Sequence, residues 1–178
     1  MFRSGLRRLF DAAGALAALF VFAIFVVMLS STVMRTLGMR TGGTDDVVSW
    51  LTAAASFFGL AHTFIHGDFV RVSLLLEKLA PRPRHLFEVL SLLVGTAFTG
   101  YLAWSVCSYV LDSWRFGDMG TGLIVIPIWI PQSSLAIGTC LLFVAVADQL
   151  VHVLRGHRPE YVEAVEQRHA RGDFSEDV

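Results

Sequence analysis

The stretch from Gly59 to Pro83, GLAHTFIHGDFVRVSLLLEKLAPRP, decides how the rest of the chain is read. An apolar segment runs into it and stops at His66. Gly67 breaks the pattern, Asp68 opens a run of mixed charge and apolar character, and Pro81 and Pro83 close it. Val72, Leu75, Leu76 and Leu79 recur at helical spacing, while Arg71, Glu77 and Lys78 take the other faces. A helix this short cannot span a bilayer and lies in its surface. The stretch therefore reads as a transmembrane helix leaving the bilayer, an interfacial helix over 68–80, and a hinge into the next span.

Composition agrees with a membrane chain. Of 178 residues, 54% are hydrophobic and only 16% charged, and mean hydropathy is +0.61. Soluble domains carry about 25% charged residues. The formal net charge is -1, and the arginines sit dispersed at segment ends with no basic stripe. That pattern speaks against nucleic-acid binding. Cys107 and Cys140 both fall inside apolar runs, which offers no disulfide framework or zinc spacing.

Upstream of the opening stretch, Val47–Ile65 is the second span. Asp45 and Asp46 precede it, where negative charge complements the helix dipole and Thr44 or Asp45 can cap the first turn. A docking or ion-contact role for this acidic pair is the alternative. Trp50 suits the aromatic belt, and Ala55 and Gly59 form a small-xxx-small packing face. Gly38, Gly42 and Gly43 mark the preceding loop. The first span is Ala12–Met34, with a small-sided first half (Ala12, Ala13, Gly14, Ala15, Ala17, Ala18) and a bulky second half from Phe20 to Leu29. Arg3, Arg7 and Arg8 ahead of it imitate a signal peptide. The apolar region outlasts an h-region of about 7–15 residues, so a retained helix is expected.

Downstream, Arg84–Trp114 is the third span. At about 1.5 Å per residue it exceeds a hydrocarbon core of roughly 30 Å, so it tilts or protrudes. Gly95, Thr96, Thr99 and Gly100 give it a close-packing face; Tyr101, Trp104, Tyr109 and Trp114 line its later half. Arg115–Thr121 is a turn. In Gly122–Pro131, GLIVIPIWIP, Pro127 and Pro131 forbid a regular helix. This piece is expected as extended chain along the membrane surface, anchored by Trp129. Pro131 suits the first turn of a fourth span over 132–154. The expected division is a membrane domain, 1–155, and a polar cytoplasmic tail, 156–178.

Charge fixes the expected orientation. Eleven Lys and Arg residues fall before span one, between spans two and three, or after span four; Arg35, Arg40 and Arg115 are the three on the opposite side. The positive-inside rule places both termini and the 66–84 connection in the cytoplasm. The fold class is thus an all-α membrane protein, N-in and C-in, with four transmembrane helices and one cytoplasmic-side interfacial helix.

The middles of all four spans lack Asp, Glu, Lys and Arg, which argues against ion conduction by this chain alone. Asp148, one turn from His152, reads as half of a structural pair. His62 and His66 share one helix face at i, i+4. The zincin pattern needs Glu after the first His, where Thr63 stands. His152 lies at similar depth, so a bis-His haem site is geometrically possible, and a small membrane redox subunit of haem b or quinone type is the alternative reading. No Ser/His/Asp constellation or glycine-rich phosphate loop is present. The expectation is a non-enzyme with no catalytic, substrate-binding or metal residues and no cofactor.

In order and spacing, the motifs resemble a known family. They are Asp45–Asp46; Gly59-Leu60-Ala61 with His66-Gly67-Asp68-Phe69-Val70-Arg71-Val72 and Leu74–Leu76; Leu79-Ala80-Pro81; and Ile126-Pro127-Ile128-Trp129-Ile130-Pro131 with Ile137-Gly138. Over residues 31–155 the chain resembles the small membrane (Q-type) subunit of tripartite ATP-independent periplasmic (TRAP) transporters. The resemblance implies a non-catalytic partner in the bacterial inner membrane, forming a heterodimer with a large permease subunit that carries substrate and sodium ions. A periplasmic binding protein would deliver an acidic substrate and dock transiently. Asp45, Asp46, Trp50, Trp114, Pro127 and Trp129 are the expected periplasmic-side contacts. His66, Gly67, Asp68 and Arg71, with the Val72–Leu79 apolar face, form a cytoplasmic elbow against lipid or the large subunit. Ala55, Gly59, Gly95 and Thr99 serve helix packing.

Overall fold

A computed structural model of the chain describes residues 2–66 and 81–156. Four helices make up nearly all of it: α1 (Phe2–Thr36), α2 (Thr44–His66), α3 (Pro81–Phe116) and α4 (Trp129–Leu154). All four are long and apolar enough to cross a membrane. In lipid the backbone must satisfy its own hydrogen bonds, which favours continuous helix. The hydroxyls follow the same rule. Ser30 donates to the Val26 carbonyl, Thr52 to Val48, Thr96 to Leu92 and Thr139 to Leu135, at 2.7–2.9 Å. A Ser or Thr bonded to its own helix adds no unpaired donor to an apolar surface.

The helices form a row rather than a ring. α1 packs on α2, α2 on α4, and α4 on α3. The inner pair is the more buried: 28% of the most apolar window is buried in both α2 and α4, against 11% in α1 and 17% in α3. Contacts along the row use small residues, as expected where packing rather than water exclusion holds helices together. Gly59 lies against Ala17, with the Ala17 methyl 3.8 Å from where a glycine Cβ would be, and Phe20 meets Phe58 at 5.8 Å between ring centroids. Gly138 of α4 abuts the Phe57 backbone, and Gly95 and Gly100 of α3 receive Val146 and Phe143. Thr99 is buried and returns its hydroxyl to the Gly95 carbonyl at 2.8 Å. One buried cluster joins Phe10, Ala61, Ile65 and Ala145; a second joins Leu92, Val146 and Val153.

Both edge helices stop at a glycine. After α1, Gly38 (φ 75°) lets Met39 N–H reach the Met34 carbonyl at 3.0 Å; after α3, Gly117 (φ 66°) lets Asp118 N–H reach Ser113 at 3.0 Å. These are Schellman closures, which need a left-handed residue at that point.

Several boundaries differ from the sequence expectation. The basic approach before Ala12 is part of α1, so anchor and span are one rod. α4 begins at Trp129, three residues early, with Pro131 in its first turn where no intrahelical donor is lost. The segment after Thr121 is not a simple extended run along a surface. It folds back on the turn: Gly120 N–H donates to the Ile126 carbonyl at 2.9 Å and Ile128 N–H to Asp118 at 3.0 Å, with Met119 and Pro127 paired in an antiparallel bridge. Pro127 is tolerated because the bonds beside it use the Ile126 carbonyl and the Ile128 N–H, not a proton of its own. The expected interfacial helix, with Gly67, Asp68, Arg71, Val72, Leu75, Leu76 and Leu79, lies outside the described residues, as does the tail from 157.

Candidate functional site

The row has two chemically distinct ends and two apolar flanks. At the hairpin end, α2 starts directly beneath the 117–128 hairpin. Asp46 Oδ2 accepts a hydrogen bond from Ile124 N–H at 3.3 Å. Gly43 (φ 79°) is buried against the Ile124 side chain, and Gly122 sits on the Asp46 carboxylate; a Cβ at either would collide. Two glycines and one carboxylate thus seat the hairpin on α2. Asp45 is exposed. Trp50, Trp114 and Trp129 all lie toward this end, in early α2, last-turn α3 and first-turn α4. Indole rings gathered toward one end of a helical membrane protein suit the lipid–water interface.

At the opposite end, the start of α1 meets the end of α2. His62 Nδ1 is 3.3 Å from the Phe10 carbonyl oxygen and 3.8 Å from Asp11 Oδ1. His66 Nε2 is 3.6 Å from the same Asp11 oxygen, and its Nδ1 is 2.9 Å from the His62 carbonyl. The two imidazoles stack with centroids 4.0 Å apart. This stacking leaves no gap for a macrocycle between them, so they are not a trans-axial haem pair. Sequence reasoning paired these histidines with His152 and missed Asp11. The available signal was Gly14: a Cβ there would lie 2.6 Å from His62 Cγ, and its absence admits the ring against α1.

The flanks carry the unpaired apolar surface. α1 exposes Leu19, Phe22, Phe25 and Leu29; α3 exposes Leu90, Val94, Phe98, Tyr101 and Trp104. Tyr101 and Trp104 are 67% and 68% exposed, near the middle of α3, with rings 6.2 Å apart.

A helical membrane protein with four helices able to span a bilayer is the class these features define. Residues 24–156, well over half of the chain, match the family described as tripartite ATP-independent periplasmic transporters, DctQ component, and the chain belongs to that family. It is therefore a component of a transport system, and a multi-pass membrane protein by its helices. Among curated proteins, none matches this chain.

Proposed function

We propose that this chain is the small membrane subunit of a TRAP transporter, and that it braces the large permease subunit through the flank of α3. The permease carries an acidic substrate with sodium ions, and a periplasmic binding protein delivers that substrate. The chain sits in the bacterial inner membrane with both termini cytoplasmic, which turns the hairpin end to the periplasm. Asp45, with Trp114 and Trp129 at the same end of the row, is then the surface open to the binding protein or to the large subunit.

The observation that carries this reading is the pair Tyr101 and Trp104. Each ring bears a polar hydrogen, and both lie exposed near the middle of a span. Tyr and Trp facing lipid favour the interfaces, where that hydrogen meets water; at mid-span it has no partner in hydrocarbon. A protein surface supplies both the partner and the apolar cover. The absence of acidic or basic residues from the span middles fits a scaffold rather than a conducting path.

A photo-crosslinking residue at Trp104 tests this in native membranes. The expected product is a defined adduct with one large multi-span protein, and the same probe at Phe22 on the α1 flank reports whether that flank is covered as well. Adducts to lipid alone at Trp104 would remove the bracing role of α3.

A further inference from the structure

Asp11, His62 and His66 lie apart from the hairpin and flank surfaces, and they carry ligand chemistry. One ligating atom of each lies within 4.8 Å of the other two. The separations from Asp11 Oδ1, 3.6 Å to His66 Nε2 and 3.8 Å to His62 Nδ1, are too long for hydrogen bonds, which run to about 3.2 Å. They approach the spacing of two donors on a shared ion. Nitrogen and oxygen ligands about 2.0–2.2 Å from a tetrahedral zinc-type ion stand about 3.4 Å apart.

The ring of His66 is set for this. A carbonyl only accepts, so the 2.9 Å contact to the His62 carbonyl places a proton on His66 Nδ1. In the neutral ring, Nε2 then turns its lone pair toward Asp11. A lone pair beside a carboxylate suits a shared cation, a proton or a metal ion, and the His62 ring nitrogen within reach suits the metal ion. Metal-bound histidines are characteristically oriented by such a bond from the other ring nitrogen to a backbone carbonyl. His62 Nδ1 meets two oxygens, of Phe10 at 3.3 Å and Asp11 at 3.8 Å; without an ion it donates to the Phe10 carbonyl, and as a ligand it gives up that bond and carries its proton on Nε2. Its ring is fixed by the space at Gly14.

We propose that Asp11, His62 and His66 bind a divalent transition-metal ion of the zinc class, which clamps the beginning of α1 to the last turn of α2. Side-chain exposures of 58%, 33% and 43% give the ion a route in and leave a coordination position to water. The clamp has a mechanical reason. α1 is an edge helix that packs mainly on α2, and the ion adds a cross-helix bond near its start. The family match begins at residue 24 and so does not cover Asp11.

The test uses the full-length chain with whatever subunit co-purifies, no polyhistidine tag, and prior stripping with a chelator. Cobalt(II) is titrated while visible absorption is followed, then displaced with zinc. The wild type is expected to bind one ion per chain, to show the intense bands of a tetrahedral ligand field, and to melt at higher temperature with zinc. Asp11→Asn and His66→Gln should each weaken binding at least about tenfold. The chain has six histidines, so the triple variant D11N/H62Q/H66Q reports adventitious binding by the rest. Equal binding by that variant overturns the site. So does a wild type with no cobalt bands and no zinc-dependent melting shift, a result that needs no variant to fold.

Discussion

The Asp46 carboxylate accepts the backbone N–H of Ile124 at 3.3 Å, joining residues 78 apart in the chain. This bond seats the hairpin before α4 on the first turn of α2. It also divides an acidic pair that looks uniform in sequence: Asp46 is turned into the fold, and Asp45 is exposed.

Asp46→Ala should release the hairpin. A bond to a charged acceptor at a part-exposed site is worth about 1 kcal/mol. Trypsin cleavage after Arg115, followed in membranes, should quicken in Asp46→Ala and stay at the wild-type rate in Asp45→Ala. If both variants cleave like wild type, the tether is not holding the hairpin.

Asp45 carries the docking expectation instead. Asp45→Ala, alone or with Asp46→Ala, should lower substrate uptake by the assembled transporter while membrane insertion is retained. Normal uptake in the double variant would rule out a docking role for this corner.

The two loop glycines before α2 should respond differently. Gly43 has φ 79° and lies under Ile124, whereas a Cβ at Gly42 meets only Leu123 Cδ1 at 3.9 Å. A left-handed non-glycine residue costs roughly 1–2 kcal/mol before any clash. Gly43→Ala should lower the melting temperature in detergent and Gly42→Ala should not. Equal effects would mean that the loop has another path.

Inside the row, Gly138 and Gly95 make a similar contrast. A Cβ on Gly138 would lie 2.7 Å from the Phe57 backbone, which cannot rotate away; one on Gly95 meets Val146 Cγ1 at an ordinary 3.5 Å. Overpacking a tight site costs about 1–3 kcal/mol. Gly138→Ala should destabilise by that amount and weaken α2–α4 packing, while Gly95→Ala is tolerated. Thermal unfolding of the two variants side by side decides it.

The α3–α4 seam can be trapped chemically. Cys107 and Cys140 are free thiols with Sγ atoms 3.6 Å apart. A membrane-permeant oxidant should join them within one chain, so that fragments cut after Arg115 stay linked until reduced. Fragments that separate without reductant would contradict this helix neighbourhood.

Much of the fold was legible because apolar runs in a bilayer leave the backbone little choice but helix. Each of the four apolar runs lies in one of the four helices for that reason. The order of helices in the row was not legible. It depends on which small residue faces which neighbour, as Gly138 faces Phe57, and the sequence offers more small faces than the fold pairs. Pro127 stands outside helix as expected, but α4 starts at Trp129, between the two prolines, and the hairpin needed Asp46, far upstream, to be seen. The His62–His66 face was visible by its spacing. Its partner Asp11 was not, because helical periodicity says nothing about which helix will cross which.

The central claim is that this chain works as a brace for a larger permease. Native mass spectrometry of the untreated complex, extracted gently with a small affinity tag on this chain, tests it most directly. The account predicts a one-to-one complex with a single large multi-span membrane protein, and a loss of that complex when Trp104 and Phe98 are both replaced by alanine. Recovery of the chain alone from membranes that also contain the permease would contradict it.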